Sequence, residues 1–206
     1  MKADKKKQLI KSGITARWMV TTLLVIALIL ACIATAITLS IRGFYYETVK
    51  NRLLSMGQSS TVAEYFGAYI DSAEDVFVQR AQEYVENFSD INTAEVWVYD
   101  KNGIVVATST GFDAIPGDDA DYTLALKSSA GMGTAKGFTD NGEHIMALTV
   151  FMPKTDGSSN GAVRYIISLH DVDRQVAQVA LAAALCCLFA LSLVVLSGLF
   201  FAASFV

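Results

Sequence analysis

Apolar residues along this chain follow three patterns. Two are runs without a single Asp, Glu, Lys or Arg: Trp18 to Ile41, 24 residues of which 19 are hydrophobic, and Val176 to Val206, 31 residues of which 26 are hydrophobic. A helix rises about 1.5 Å per residue and needs ~20 apolar residues to cross a ~30 Å hydrocarbon core, so each run predicts a transmembrane helix. The third pattern is periodic. Val62, Phe66, Ile70, Ala73, Phe77, Ala81, Tyr84 and Phe88 follow one another in steps of four or three, which is the stripe of a helix. No proline occurs from Arg42 to Phe88, so one continuous helix is expected from the first span to Ser89-Asp90, as a core helix with a stalk or as a dimer interface.

Beyond that break the texture becomes β-branched and aromatic. Glu95 to Tyr99 and Ile104 to Thr108 flank Asp100-Lys101-Asn102-Gly103, and Asn-Gly supplies the positive φ angles that a tight hairpin turn demands. Pro116-Gly117-Asp118-Asp119 reads as a turn with a helix cap, leading into a short helix over Tyr122 to Ser129. Gly131 to Gly137 lacks the spacing of a phosphate-binding loop and is expected to be a turn. Two more strands, His144 to Met152 and Ala162 to Leu169, are joined by the exposed loop Pro153 to Gly161.

Composition changes meaning once divided along these lines. The whole chain is 53% hydrophobic and 17% charged, which excludes an ordinary soluble enzyme, a basic nucleic-acid binder and a disordered chain. Arg42 to Gln175 has 58 hydrophobic residues in 134, about 43%, an ordinary globular composition. The organisation predicted is a basic tail over 1–17, a span over 18–41, a folded domain over 42–175 and a second span over 176–206. Lys2, Lys5, Lys6, Lys7, Lys11 and Arg17 against Asp4 give the tail a charge of +5, which the positive-inside rule places in the cytoplasm of a two-span plasma-membrane protein. The domain, with 10 basic and 19 acidic residues, then faces outward. Ala34-Thr35-Ala36 offers a signal-peptide cleavage pattern, but the apolar run before it is already longer than the ~7 to 15 residues of such signals, so an uncleaved anchor is expected. Cys32, Cys186 and Cys187 all lie in the spans, leaving the domain without a disulfide or a Cys-based zinc site.

The order of elements resembles a known arrangement. A charged head, a span, a long helix, the hairpin VWVYDKNGIVVATS, a short helix, two strands, then SLHDVDRQV running into a second span resembles the extracytoplasmic sensor half of bacterial two-component sensor histidine kinases. The middle looks like their α+β PAS-like (Cache or PDC) domain. The resemblance implies a membrane-embedded homodimer that meets an extracytoplasmic ligand and, through a kinase part, a response regulator; it implies ATP and Mg for that kinase, no cofactor in this chain, and no nucleic acid. It also implies continuation beyond Val206 into a HAMP linker and the kinase. The same input module occurs in chemotaxis receptors and diguanylate cyclases, and a stand-alone membrane-anchored binding or accessory protein is a further alternative.

Candidate chemistry is sparse. His170-Asp171-Val172-Asp173-Arg174 lacks the proline that follows the acceptor histidine in the kinases, and no catalytic residues are expected. Trp97, Tyr99, Thr108, His144 and Arg164 come from different strands and are candidates for a pocket in which Arg and His bind an anionic small molecule between aromatic walls. Trp97 and Tyr99 share one face of their strand, opposite Val96 and Val98. Asp118, Asp119 and Asp121, with Asp113 nearby, are oxygen donors of the kind a divalent cation takes, but they lack calcium-loop spacing and read first as a capped turn. The spans hold no ionisable residue, which argues against an ion pathway. Ala27, Ala31 and Thr35, and Ala180, Ala184 and the Ala183 to Cys187 pair, have the small-xxx-small spacing that permits close helix contact.

Overall fold

A computed structural model of the chain describes residues 2–58, 60–67, 69, 74–109, 120–139, 141–153 and 159–204. It forms two compact units, one of Met1–Gly43 with Asp173–Val206 and one of Phe44–Val172. Helix α1, Lys2–Gln58, contributes to both, and α5, His170–Ser204, lies mainly in the first.

Two apolar helical segments, within Arg17–Gly57 and His170–Phe200, are long and apolar enough to cross a membrane. Their side chains suit lipid: Trp18, Leu24, Leu28, Leu181, Leu188 and Phe189 point outward. Polar groups are satisfied locally, because the hydroxyls of Thr21, Thr22, Thr35 and Thr38 each donate to the carbonyl four residues back at 2.8 to 2.9 Å. That arrangement removes the cost of a bare hydroxyl in hydrocarbon. Cys187 Sγ lies 3.8 Å from the Leu30 carbonyl, so one end of the Ala183 to Cys187 pair faces α1 of the same chain.

The second unit is an α+β domain around a five-stranded, wholly antiparallel sheet. Its elements are α2 (Ser60–Gly67), α3 (Glu74–Glu86), β1 (Glu95–Asp100), β2 (Val105–Thr108), α4 (Ala120–Lys127), β3 (Met132–Phe138), β4 (His144–Pro153) and β5 (Ser159–Ser168). The strand order is β2-β1-β5-β4-β3. This is the α+β class expected from the sequence.

Period-two alternation divides the sheet into two faces. Val96 and Val98 of β1, Val163, Tyr165 and Ile167 of β5, and Met146 and Leu148 of β4 form one face, which joins Tyr46, Leu53, Val62, Phe66, Phe77, Ala81 and Val85 of the helices in the main core. A smaller cluster of Ile145, Ala147 and Ile166, with Trp97 against it, marks the other face.

Three expectations need correction. The stripe from Val62 to Phe88 is divided between α2 and α3; Val62, Phe66, Phe77 and Ala81 are buried as expected, but Ile70 and Ala73 lie outside the described residues. An amphipathic stripe reports which face is buried, and two helices folded onto the same core satisfy it as well as one rod. Gly131 to Gly137 is largely strand: β3 pairs along its length with β4, from Met132 with Val150 to Phe138 with His144. Gly133 within it is needed where α4 presses on the strand. The β1-β2 hairpin turns over three residues, with positive φ at Gly103 (78°) and, among the described residues, at no residue other than glycine. The Asp100 N–H donates to the Ile104 carbonyl at 2.8 Å, and the Gly103 N–H to the Asp100 carbonyl at 3.1 Å. Asp100 also accepts the Asn102 and Ile104 N–H groups on Oδ1, both at 2.8 Å, so its side chain holds the turn.

Candidate functional site

The sheet register brings two threonines, a tryptophan, an arginine and a glycine into a single transverse row. Thr108 of β2 pairs with Trp97 of β1, Trp97 with Arg164 of β5, Arg164 with Thr149 of β4, and Thr149 with Gly133 of β3. Directly paired antiparallel residues share a face, so all five lie on the side away from the main core.

Helix α4 covers this row. A Cβ on Gly133 would overlap backbone atoms of Asp121 and Ala125, so only glycine lets the helix lie this close to the sheet. The approach brings Asp121 down onto Arg164. Arg164 Nε and Nη2 donate to the two Asp121 carboxylate oxygens, each at 2.9 Å, and the Thr149 hydroxyl donates to Oδ2 at 2.7 Å. This is the bidentate geometry in which a guanidinium binds a carboxylate most specifically. Asp121 is 1% exposed, Arg164 5% and Thr149 0%.

Aromatic rings share this side of the sheet. The Trp97 ring centre is 5.1 Å from the Arg164 guanidinium carbon, a cation-π distance. Tyr122 of α4 stands between Tyr99, at 5.5 Å, and Phe151 of β4, at 5.0 Å between ring centres. The Tyr122 hydroxyl is held above its ordinary pKa, first by burial and then by the nearby Asp100 carboxylate. Trp97 Nε1 donates to the Glu95 carboxylate two residues back on the same face.

Four of the five expected pocket residues, Trp97, Tyr99, Thr108 and Arg164, therefore meet on one face. His144 does not join them. It belongs to the alternate set of β4 with Met146 and Leu148, and its ring stacks on Phe138 at 4.9 Å and meets Tyr46 edge-on at 6.1 Å. One position of register separates His144 from Ile145, and that sends it to the other face. Among the expected oxygen donors, Asp113, Asp118 and Asp119 lie outside the described residues, and Asp121 is committed to Arg164 and Thr149. Among the described residues no group of three potential metal ligands converges.

The sequence reading missed Asp121 as the arginine's partner, and also Thr149, Tyr122, Phe151 and Gly133. Alternation along His144 to Met152 placed Thr149 and Phe151 together, but assigning them to Arg164's face required the strand order. A separate cleft of about 410 Å³ opens on the helical side, lined in part by Ser55, Met56, Tyr65, Tyr84 and Phe88. The acids at its rim are already engaged, Glu83 with Arg80 and Asp90 with Arg52.

No family model and no curated protein matches the chain. Solved structures of similar fold include the ligand-binding domain of the Campylobacter jejuni chemoreceptor Tlp3 in complex with L-norvaline, at 16% identity and TM-score 0.47, over 72% of this chain and 63% of that one. The V. cholerae histidine kinase DctB sensor domain is similar at 11% identity and TM-score 0.41, over 66% of this chain and 57% of that one. The E. coli DcuS sensor domain is similar at 13% identity and TM-score 0.38, over 67% of this chain and 98% of that one. The chain thus spans less than two thirds of the first two. The site stands on its own geometry: an α+β domain, flanked in sequence by two apolar helices, whose second sheet face carries a covered arginine beside Trp97.

Proposed function

We propose that residues 42–175 are the extracytoplasmic input domain of a membrane-anchored signalling protein, and that the sheet face around Arg164 takes a small anionic ligand. The observation that carries this reading is a connection. Arg164 lies in the central strand β5, and β5 passes through the single residue Leu169 into α5, the second apolar helix. A ligand that prefers one setting of β5 biases the helix that the strand leads into, by as much as its affinities for the two settings differ. The basic N-terminal tail supports a cytoplasmic start for the chain.

The output we propose is that of a two-component sensor histidine kinase acting as a homodimer, with ATP-dependent phosphotransfer to a response regulator carried outside these residues. This part rests on the sequence resemblance alone, which chemotaxis receptors and cyclases share at the input domain.

Thermal unfolding of the full chain in lipid nanodiscs against a panel of organic anions tests the binding reading. The panel contains monocarboxylates, dicarboxylates, amino acids and phosphorylated compounds. At least one is expected to raise the melting temperature saturably, with the effect lost in Trp97→Ala. No saturable shift across the panel would count against a ligand-binding face.

A further inference from the structure

We propose that Asp121 occupies, from within the chain, the place of a ligand carboxylate on Arg164, so that α4 is a latch which a free carboxylate releases. The inference rests on the reading of this face as a binding surface and adds the ligand's class and the event that binding triggers.

The pairing itself points this way. Both Asp121 oxygens engage the arginine and Thr149 adds a third hydrogen bond, the donor set that would hold a small carboxylate between the Trp97 ring and β4. As structural cement the arrangement is poor, since a buried ion pair gains little over apolar residues of the same volume once both charges are desolvated. Helix α4 lies closely on β3 and β4, but among the described residues it buries few side chains there. Of its eight residues only Asp121 and Ala125 are buried, while Leu124 and Leu126 are 48% and 61% exposed. Tyr122, half-buried against Tyr99 and Phe151, adds an aromatic contact. An element with so small an apolar footing is drawn from the low-stability end of a fold. A carboxylate arriving at Arg164 exchanges one charge-assisted pair for another of the same kind, so release costs far less than leaving the guanidinium bare.

Competition between Asp121 and a free carboxylate has a measurable signature. The probe is sodium acetate, with the neutral isostere acetamide and sodium chloride at equal ionic strength as controls, added to the full chain in lipid nanodiscs. Two quantities are read: acetate affinity, and amide hydrogen exchange over Tyr122 to Lys127. Acetate is expected to speed exchange of α4 in the unaltered protein. In Asp121→Ala, where the internal competitor is gone, it is expected to bind about tenfold tighter or more. Acetamide and chloride are expected to do neither.

Equal acetate affinity in the two proteins, or binding that leaves α4 exchange unchanged, overturns the latch. If Asp121→Ala does not hold its fold, the unaltered protein alone decides: faster α4 exchange in acetate but not in acetamide supports the proposal, and no difference overturns it. A structural pair would also accept acetate in the alanine variant, so α4 exchange in the unaltered protein is decisive. The binding reading is judged separately: if a panel anion binds through Trp97 while acetate fails, the latch falls and the binding face stands.

Discussion

Arg164 and Tyr165 are consecutive in β5 and leave the sheet on opposite faces. Arg164 pairs with Asp121 of α4 at 2.9 Å, and Tyr165 shares a 2.7 Å hydroxyl hydrogen bond with Tyr84 of α3. One strand is therefore gripped from both sides by polar contacts, each buried or half-buried. Successive side chains of a strand point to opposite faces, which is why two adjacent residues serve two different layers. Tyr165 in turn lies against Phe88, with ring centres 5.9 Å apart. The strand that Asp121 grips from the α4 side is thus also packed into the helical core.

The ion pair is expected to behave asymmetrically under mutation. Arg164→Met leaves the Asp121 carboxylate, 1% exposed, with Thr149 but without a cation. Stranding a buried charge in this way costs about 3–5 kcal/mol. The double variant Asp121→Leu/Arg164→Met removes both charges and is expected to recover most of that loss. Thermal unfolding of the four proteins of the cycle, in nanodiscs, measures the coupling; a double variant no more stable than Arg164→Met would contradict it.

Alkaline pH should weaken the fold through the tyrosine pair. Burial is the main cause that holds both the Tyr84 and the Tyr165 hydroxyls above their ordinary pKa of 10.0, and proximity of the two rings adds to it at Tyr165. In the unfolded chain these phenols ionise near pH 10, whereas the native state keeps its protons, so unfolding releases protons and stability falls as pH rises. Stability from this pair is expected to be fully present below pH 10 and to decline above it. Tyr165→Phe should reduce that alkaline loss while costing about 1 kcal/mol at neutral pH, where one hydrogen bond disappears. Melting temperature followed across the alkaline range for both proteins checks the sign.

Gly133→Ala tests how closely α4 lies on the sheet. Its new methyl would meet the backbone of Asp121 and Ala125, and helix backbone cannot move aside as a flexible side chain can. The expected cost is about 1–3 kcal/mol, as for other overpacked sites, with faster hydrogen exchange in α4. Gly137→Ala, four residues along the same strand and on the same face, has nothing within 4 Å of its added methyl and serves as the neutral comparison. Equal effects of the two substitutions would rule out direct helix contact as the cause.

Much of this protein could be read from one dimension because the physics involved is local. Two uncharged apolar runs are too long to be anything ordinary in water, and the segment between them has a globular composition of its own. Alternation in Glu95 to Tyr99 placed Trp97 and Tyr99 opposite Val96 and Val98 without any knowledge of neighbouring strands. Asp100-Lys101-Asn102-Gly103 announced a hairpin because a positive φ is cheap only at glycine or asparagine, although the structure uses it at Gly103 alone.

Tertiary structure decided what depends on register and on helix placement. His144 looked equivalent to Arg164 as a charge-bearing strand residue, but pairing with Phe138 sends it to the opposite face. The glycine-rich segment read as a turn because nothing within it showed that a helix would press on Gly133. Asp121 looked like one of several solvated carboxylates, and its pairing with Arg164 spans 43 positions of sequence. Local propensity is written in consecutive residues; which side chain meets which across a sheet is settled only when strand order, register and the covering helix are satisfied together.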